Sequence, residues 1–261
     1  MNVLLEEMSW TDVQEAITSG YDRVLQMIAS IEQHGPHLPL GTDTILGYAW
    51  AKDIAKALGK VLVAPVIRPG CSIYHEAFPG TISFPEDLVA ALIEKSCISL
   101  SKSGFDIIIL LCSHGGNWPI VHEYINVFNK AVAPQSIVIT LPPAVVEAIE
   151  SEICAFLQNR GIPFARVGVH AGLRETAYMM WVKPELVNYQ TMQTGDCNPE
   201  LWKAIKEAGF PIRKITPTGV LGDPIGANEH LGKQLYNITV KLYVKALKNI
   251  LANVEKQREG K

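Results

Sequence analysis

The stretch "FDIIILLCSHGGN", residues 105–117, decides the fold class that this sequence predicts. Its first half is a run of isoleucine and leucine with no polar alternation, which is typical of a strand buried on both faces of a parallel sheet. Its second half turns to small and polar residues, as expected where a strand leaves the sheet. Parallel strands need long crossover connections, so helices are expected between this strand and its neighbours.

Four more apolar segments have the same character, and each ends in polar residues, proline or glycine. They are "DRVLQMIAS" (22–30), "KVLVAPVI" (60–67), "QSIVITL" (135–141) and "FARVGVH" (164–170). Helical patterns alternate with these segments over residues 44–59, 85–104, 117–132, 142–161 and 228–257. This alternation predicts an α/β fold, a three-layer α/β/α sandwich with a mainly parallel central sheet.

The whole chain, residues 1–261, is expected to form a single domain. It contains no internal repeat and no Gly/Ser/Pro-rich linker that would divide it. The irregular stretch 183–227 is rich in proline and glycine, and we interpret it as an insertion or lid of the same domain. A chain of this length is ample for one large buried core.

Composition and charge exclude several classes of function. The net charge is -3 and lysine and arginine form no cluster, so neither a nucleic acid nor an anionic membrane surface is expected as a partner. No apolar run is long enough to span a bilayer, and the N-terminal stretch lacks the basic start of a signal peptide. The five cysteines are scattered, odd in number and without a C-x-x-C pair, which favours a reduced, cytoplasmic protein.

Polar side chains follow several of the predicted strands. In open α/β sheets, ligands bind beyond the carboxyl ends of the strands, so these side chains are expected to meet at one edge. The candidates at that edge are Glu32, His34, His75, Glu76, His114, His170 and Glu175.

The loop "SIEQHGPHLPLGTD", residues 30–43, indicates metal chemistry. Glu32 and His34 are two positions apart, which places their side chains on the same side of an extended segment, and Asp43 follows a turn that can return to the same point. The surrounding proline and leucine would make an unpaired carboxylate costly, and a bound dication would remove that cost. Ligands of this type suit Zn, Mn or Fe, and two ions sharing one carboxylate are possible. The alternative is that these are ordinary loop residues in surface hydrogen bonds.

The other motifs are weaker by themselves. "SHGGN" (113–117) lacks the lysine and Ser/Thr of a phosphate loop, but its glycines would let backbone amides approach a substrate oxygen. His75 and Glu76 either line a substrate entrance or are turn residues ahead of a Pro-Gly pair. His122 and His230 are interpreted as surface residues.

Taken together, these segments resemble the creatininase (creatinine amidohydrolase) family. The resemblance rests on five blocks in the family's order, which cover nearly the whole chain. The blocks are "SIEQHGPHLPLGTDT" (30–44), "YHEAFPGTISF" (74–84), "SHGGN" (113–117), "HAGLRETAYMM" (170–180) and "GVLGDPIGANEHLG" (219–232).

The resemblance implies a metal-dependent amidohydrolase with two divalent ions, Zn, Mn or Fe, per chain. It implies Glu32, His34, Asp43 and His114 as metal ligands, with Asp43 bridging. His170 would deliver a proton to the leaving nitrogen of a C–N bond other than a peptide bond. Creatininase proper has a further glutamate ligand at the position of Gly116, and Glu175 is the candidate replacement, as ligand, orienting group or base.

The remaining expectations concern substrate and assembly. We expect a small-molecule substrate bound by His37, His75, Glu76, Gly115, Gly116 and Asn117. Family members are often hexamers, so a homo-oligomer is implied. The broader family includes deformylases of ring-opened purines, a peptidase and a keto-inositol hydrolase, so hydrolysis of a cyclic polyol ketone is an alternative. A non-catalytic metal-binding subunit is an alternative of another class, and a nucleotide-binding module is disfavoured because no phosphate loop follows the first strand.

Overall fold

The computed structural model describes residues 2–209 and 211–259, and its core is a sheet of four parallel strands. The strands are β1 (Arg23–Ile28), β2 (Val61–Val63), β3 (Ile107–Cys112) and β4 (Ile137–Thr140). The α-helices of the described chain are α1 (Trp10–Thr18), α2 (Thr42–Leu58), α3 (Glu86–Lys102), α4 (Trp118–Val132), α5 (Pro143–Gln158), α6 (Phe164–Val167), α7 (Leu173–Val182), α8 (Pro199–Ala208) and α9 (Glu229–Glu259).

The strand order in the sheet is β2-β1-β3-β4. The chain moves from β1 to one side to form β2 and then crosses to the other side of β1 to form β3, so the order reverses between β1 and β3. Ile28 at the end of β1 pairs with Cys112 at the end of β3. The loops that follow these two strands therefore open next to each other, at the point where open α/β sheets bind their ligands.

Helices cover both faces of the sheet. On one side α3 packs against α4, and on the other α2, α5 and α7 pack against the long helix α9. The predicted three-layer α/β/α sandwich with a parallel central sheet is thereby confirmed. Among the described residues, no helix is long and apolar enough to cross a membrane.

The central strands carry apolar residues on both faces because helices bury both faces of the sheet. All six residues of β3 are buried, and so are Val24, Leu25 and Met27 of β1. Each such side chain contributes about 1.5–3 kcal/mol when it is fully removed from water. The one polar residue of this part of β1, Gln26, donates to the carbonyl of Pro65 and accepts from the Ser96 hydroxyl, so its burial is compensated.

The five predicted helical segments are confirmed to within a few residues at each end, but one predicted strand is wrong. Residues 164–167 form the single-turn helix α6 after Pro163, and Gly168, with φ +75°, ends it. The following backbone bonds to Leu221 instead of joining the sheet, since Val169 donates to the Leu221 carbonyl and Leu221 donates to that of His170. A side chain at Gly168 would meet that Leu221 carbonyl at 2.3 Å, so this close approach needs glycine.

Candidate metal centre

The fold brings the polar loops together at the carboxyl ends of β1 and β3. Glu32 and His34 lie in the loop after β1, and His114 lies two residues after β3. Asp43 is in the first turn of α2 and Glu175 in the first turn of α7, where the helix dipole favours a carboxylate. The Ser30 hydroxyl donates to Oδ2 of Asp43 at 2.5 Å and helps to orient it.

The two buried carboxylates stand between the histidines. Oδ1 of Asp43 lies 3.4 Å from Nε2 of His34, and Oδ2 lies 3.3 Å from Nδ1 of His114. Glu32 directs Oε2 to Nδ1 of His114 at 3.2 Å and Oε1 to Nδ1 of His170 at 3.7 Å. Each oxygen of Asp43 therefore faces a different imidazole, as a carboxylate shared by two ions would, and Glu32 also faces more than one ring.

Backbone carbonyls determine which nitrogen each histidine presents. The carbonyl of Glu32 lies 3.1 Å from Nδ1 of His34, that of Cys71 2.9 Å from Nε2 of His114, and that of Gln33 2.6 Å from Nε2 of His170. A carbonyl only accepts, so these nitrogens carry the hydrogen and the opposite nitrogen of each neutral ring has a free lone pair. All three free nitrogens face the carboxylates, and this is how metal-binding histidines are usually oriented.

The electrostatics of the cluster balance burial against opposite charge. Burial by itself raises the pKa of the Glu32 and Asp43 carboxyls, but the histidines beside them hold both pKa values below the ordinary range. Burial lowers the pKa of His34, yet Asp43 raises it to about 10, and Glu32 and Asp43 likewise raise the pKa of His114 well above normal. Without a metal, protons on His34 and His114 thus neutralise the two carboxylates.

The donor set fits divalent transition metals. Three overlapping groups bring their donor atoms within 4.8 Å of one another: Glu32 with Asp43 and His114, His34 with Asp43 and Glu175, and Glu32 with His34 and His170. Oε2 of Glu32 and Nε2 of His34 are buried and make no hydrogen bond within the described chain. Such atoms carry a free-energy penalty that an ion between them removes, and mixed imidazole and carboxylate ligands suit Zn, Mn or Fe.

His75 differs from the other histidines because a side chain sets its tautomer. Gln33 accepts from the backbone N–H of Gly35 at 2.9 Å and donates to the Gly219 carbonyl at 3.1 Å, which defines its oxygen and nitrogen. Its amide nitrogen lies 2.9 Å from Nδ1 of His75, so that nitrogen accepts and Nε2 carries the hydrogen. Nε2 points to Oε1 of Glu32 at 3.6 Å. Burial lowers the pKa of His75 to about 3, which keeps it a neutral donor.

Glu175 lies at the edge of the cluster, whereas Gly116 has no room for a carboxylate. Oε2 of Glu175 is 3.9 Å from Nε2 of His34 and accepts from the N–H of Ala171 at 2.6 Å. A Cβ on Gly116 would meet Nε2 of His114 at 2.4 Å and the Cys71 carbonyl at 2.9 Å. The glycine thereby leaves space for the bond that orients His114.

A cavity of about 770 Å³ opens from the carboxylates to the surface. Glu32, Asp43, His75, His114, His170 and Glu175 line it, together with Gly115 and Gly116. Its wall also carries the aromatic residues Trp50, Tyr74, Trp118, Phe164, Tyr178, Trp202 and Tyr243. The irregular stretch 183–227 contributes Trp202, Ile212 and Leu221 to this wall.

Three residues expected to bind substrate lie elsewhere. His37 is buried, with Nε2 2.9 Å from the Thr176 hydroxyl, and Glu76 is exposed; neither lines the cavity. The amide of Asn117 is fully buried and both of its ends are bonded, since it donates to the Ala29 carbonyl and accepts from the N–H of Cys71. Asn117 therefore ties the backbone of Ala29 to that of Cys71 and does not face the cavity. Among the other histidines, Nε2 of His122 donates to the Leu141 carbonyl at 2.9 Å, and His230 is exposed.

Sequence reasoning missed two contributors to the site. Gln33 lies between Glu32 and His34 in the loop of residues 30–43, but no periodicity shows that its side chain reaches residues 75 and 219. Trp50 lies seven residues, about two turns, after Asp43 along α2, and that helical spacing was the available signal that it faces the cavity.

Comparison with known proteins identifies the family. The sequence model of creatininase, described as creatinine amidohydrolase, matches residues 6–247. The mycofactocin precursor peptide peptidase of Mycobacterium ulcerans is 27% identical over 242 residues, covering 87% of this chain and 84% of that protein. The 3-dehydro-scyllo-inosose hydrolase of Thermotoga maritima is 25% identical over 265 residues, covering 99% of this chain and 78% of that protein. A solved creatinine amidohydrolase has the same fold, with a TM-score of 0.73 at 21% identity over 95% of this chain and 97% of that one. The chain therefore belongs to the creatininase family of hydrolases.

Proposed function

We propose that this protein is a metal-dependent amidohydrolase that cleaves a C–N bond of a small molecule with an activated water. The observation that carries the proposal is the position of Asp43, whose two oxygens lie 3.4 Å and 3.3 Å from the free nitrogens of His34 and His114. A carboxylate placed in this way could bind two ions at once. An isolated ion pair would need only one of these contacts.

In this proposal two divalent ions, Zn, Mn or Fe, would share Asp43. Glu32 and His114 would hold one ion, and His34 and Glu175 would hold the other, following the overlapping donor groups. When bound, such ions lower the pKa of a water molecule and polarise the carbonyl that it attacks. Glu175 takes the place of the glutamate that Gly116 cannot provide, since a side chain there would displace His114.

His170 moves the proton. Its Nε2 donates to the Gln33 carbonyl, so Nδ1 faces the site with a lone pair. Burial lowers the pKa of His170, which favours a neutral ring that can accept a proton from the attacking water. The protonated ring then donates from the same Nδ1 to the leaving nitrogen.

His75 and the two glycines orient the substrate. The Nε2–H of His75 is directed into the site and can donate to a substrate oxygen on which negative charge develops. Gly115 and Gly116 line the cavity without side chains, which leaves their backbone accessible to a ligand. His37, Glu76 and Asn117 are left out of the substrate-binding group because they do not line the cavity in the described chain.

The relatives bear on the bond that is cleaved. One is named a peptidase, so the assay panel includes short peptides beside formamides and cyclic amides. Another is named an inosose hydrolase and aligns over 99% of this chain, which favours hydrolysis of a cyclic polyol ketone as the second candidate. Turnover of a keto-inositol with no turnover of any amide would favour that candidate. A cytoplasmic location and a homo-oligomer, hexameric by family resemblance, remain predictions.

Elemental analysis of the purified protein, before and after chelation, tests the metal centre. We expect about two transition-metal ions per chain. Chelation should remove the ions and abolish hydrolysis of the panel compounds, and adding the metal back should restore both. One ion per chain would contradict the shared Asp43. No ion after reconstitution would contradict the hydrolase, and two ions without turnover of any panel compound would favour a non-catalytic metal-binding subunit.

A further inference from the structure

Arg174 is a partly buried cation in the wall of the cavity, and the proposed reaction does not use it. It precedes Glu175 on α7 and lines the same cavity as the candidate metal ligands. One of its N–H groups donates to the carboxylate of Glu150 on α5. A guanidinium has five N–H donors, and the other four make no hydrogen bond with a described residue.

A second donor on this wall also has no acceptor. The indole Nε1 of Trp50 is buried and makes no hydrogen bond within the described chain. Its ring packs edge-on against Tyr178, 5.3 Å between centroids, and Tyr178 lies one turn after Arg174 on α7. An indole N–H and a guanidinium can only donate. The ligand that completes this part of the wall must therefore bring acceptors.

The charges of the wall limit what that ligand is. Glu32, Asp43 and Glu175 are the carboxylates of the proposed metal centre, so their negative charge is taken up by the ions. Glu86, Lys203 and Glu150 also line the cavity. The Glu150 side chain is 47% exposed and that of Arg174 17%, so water screens the glutamate more than the arginine. The unused donors of Arg174 thus present positive charge to the interior of the cavity. A planar carboxylate matches the fork of a guanidinium through two parallel hydrogen bonds.

We infer that Arg174 forms a subsite for a carboxylate, so that the substrate is a small amide bearing a carboxylate group. The inference rests on the proposed function, because it concerns the substrate of the same centre. Arg174 and the candidate ligands Glu32, Asp43 and Glu175 line the same cavity of about 770 Å³, so one small molecule can contact both the subsite and the metal centre. The aromatic wall, which includes Trp50 and Tyr178, suits an apolar body between the two groups.

The alternative is that Arg174 only ties α5 to α7 through Glu150. The two readings differ in the effect of each partner. If the pair is merely structural, Arg174→Gln and Glu150→Gln break the same contact and have the same effect. If Arg174 binds a carboxylate, only Arg174→Gln abolishes that binding, since Glu150→Gln leaves the guanidinium in the cavity with one competing charge fewer.

The test is calorimetric titration of the metal-loaded protein with N-acetylphenylalanine and with its uncharged analogue, N-acetylphenylalaninamide. The wild type is expected to bind the acid about tenfold or more tightly than the amide, as a charge-assisted hydrogen bond implies. Arg174→Gln should remove this preference with amide binding unchanged, and Glu150→Gln should keep or increase it. If Arg174→Gln does not fold, Arg174→Lys replaces it and should bind the acid several-fold more weakly, because a lysine lacks the fork.

Metal content is measured in every sample, so that the two proposals fail separately. Equal affinity for acid and amide in a protein with two ions per chain overturns the subsite and leaves the proposed function standing. The subsite is also overturned if the preference for the acid survives in Arg174→Gln, or if the acid fails to bind the wild type at millimolar concentration. Equal losses in Arg174→Gln and Glu150→Gln would establish the structural pair instead. A preference that depends on Arg174 in a protein without metal leaves the subsite standing and overturns the metal centre.

Discussion

The side-chain amide of Gln33 donates to Nδ1 of His75 at 2.9 Å, and this contact sets the hydrogen of His75 on the nitrogen that faces Glu32. Both ends of the amide are held by backbone atoms of Gly35 and Gly219, so Gln33 cannot turn over. Gln33 lies between two proposed metal ligands without being one. Its effect on the site acts through the tautomer of its neighbour.

Gln33→Glu is expected to reverse that tautomer. A carboxylate accepts from Nδ1–H, so Nε2 of His75 would lose its hydrogen and could no longer donate to Glu32 or to substrate. We expect kcat to fall about 10- to 100-fold, the usual effect of removing a partner that orients a site residue, with both ions retained. Nitrogen NMR of the His75 ring checks the tautomer, and an unchanged Nε2–H signal would contradict this explanation.

Asp43→Ala is expected to remove both ions and reduce activity by orders of magnitude, because both proposed metal positions use this carboxylate. Elemental analysis and turnover are measured on the same sample. The control is Asp53→Asn, also on α2, which changes only the acceptor of the Tyr236 hydroxyl and should keep its metal. Full metal occupancy in Asp43→Ala would show that Asp43 does not bridge.

His170→Ala is expected to keep both ions and lose turnover about 100- to 10,000-fold, as for removal of a general acid–base. The pH profile of the residual activity should lose one limb, which belongs to this ring. The free Nδ1 of His170 lies 3.7 Å from Glu32 and belongs to one of the donor groups. If metal content falls in parallel with turnover, His170 is a ligand.

Gly116→Ala is expected to weaken metal binding about 10- to 100-fold, the effect of disturbing the bond that orients a ligand. The new methyl would lie 2.4 Å from Nε2 of His114 and would push the ring away from the Cys71 carbonyl. Gly115→Ala is the matched control, since nothing lies within 4 Å of a side chain there. Competition with a chelator measures both affinities, and equal effects of the two substitutions would contradict the steric argument.

The chelated protein is expected to lose stability as the pH rises from about 7.5 to about 8.5, above the unfolded pKa of histidine. The pKa of His34 is raised to about 10 in the folded state and that of His114 is also raised, so their protons stabilise the fold fully below the unfolded pKa of 6.5. That stabilisation is lost as the pH rises toward the folded pKa, by about 1 kcal/mol per pH unit for each ring. The pKa values of His75, His37 and His170 are lowered, to about 3 for His75 and about 4 for His37, so above about pH 7.5 these rings are neutral in both states and do not contribute.

Thermal unfolding across this pH range checks the sign. The metal-loaded protein should show little change, because ions replace the protons on His34 and His114. Loading at pH 7 should accordingly release about two protons per chain, measured from the buffer dependence of the binding heat. A chelated protein whose stability rises with pH would contradict the protonation of these two rings.

Neighbouring polar residues of one sequence motif lie in different environments in the structure. His75 and Glu76 are neighbours in one motif, yet His75 is buried against Glu32 while Glu76 is exposed. His114 and Asn117 belong to one "HGGN" block, yet His114 faces the carboxylates and Asn117 holds the backbone of Ala29 and Cys71. Adjacent residues in a loop point in different directions, and no periodicity predicts which one faces the cavity.

The sequence by itself determined the parallel sheet, the helices around it and the edge at which the polar loops gather. These follow from local apolar patterns and from the rule that parallel strands end together. Only the tertiary structure decided which nitrogen each histidine presents and that Gln33 holds His75. It also decided that four of the five N–H donors of Arg174 make no hydrogen bond with a described residue. The physical reason is distance along the chain: Gln33 meets residues 75 and 219, and hydrogen bonds between such remote segments form only when the whole fold brings them together.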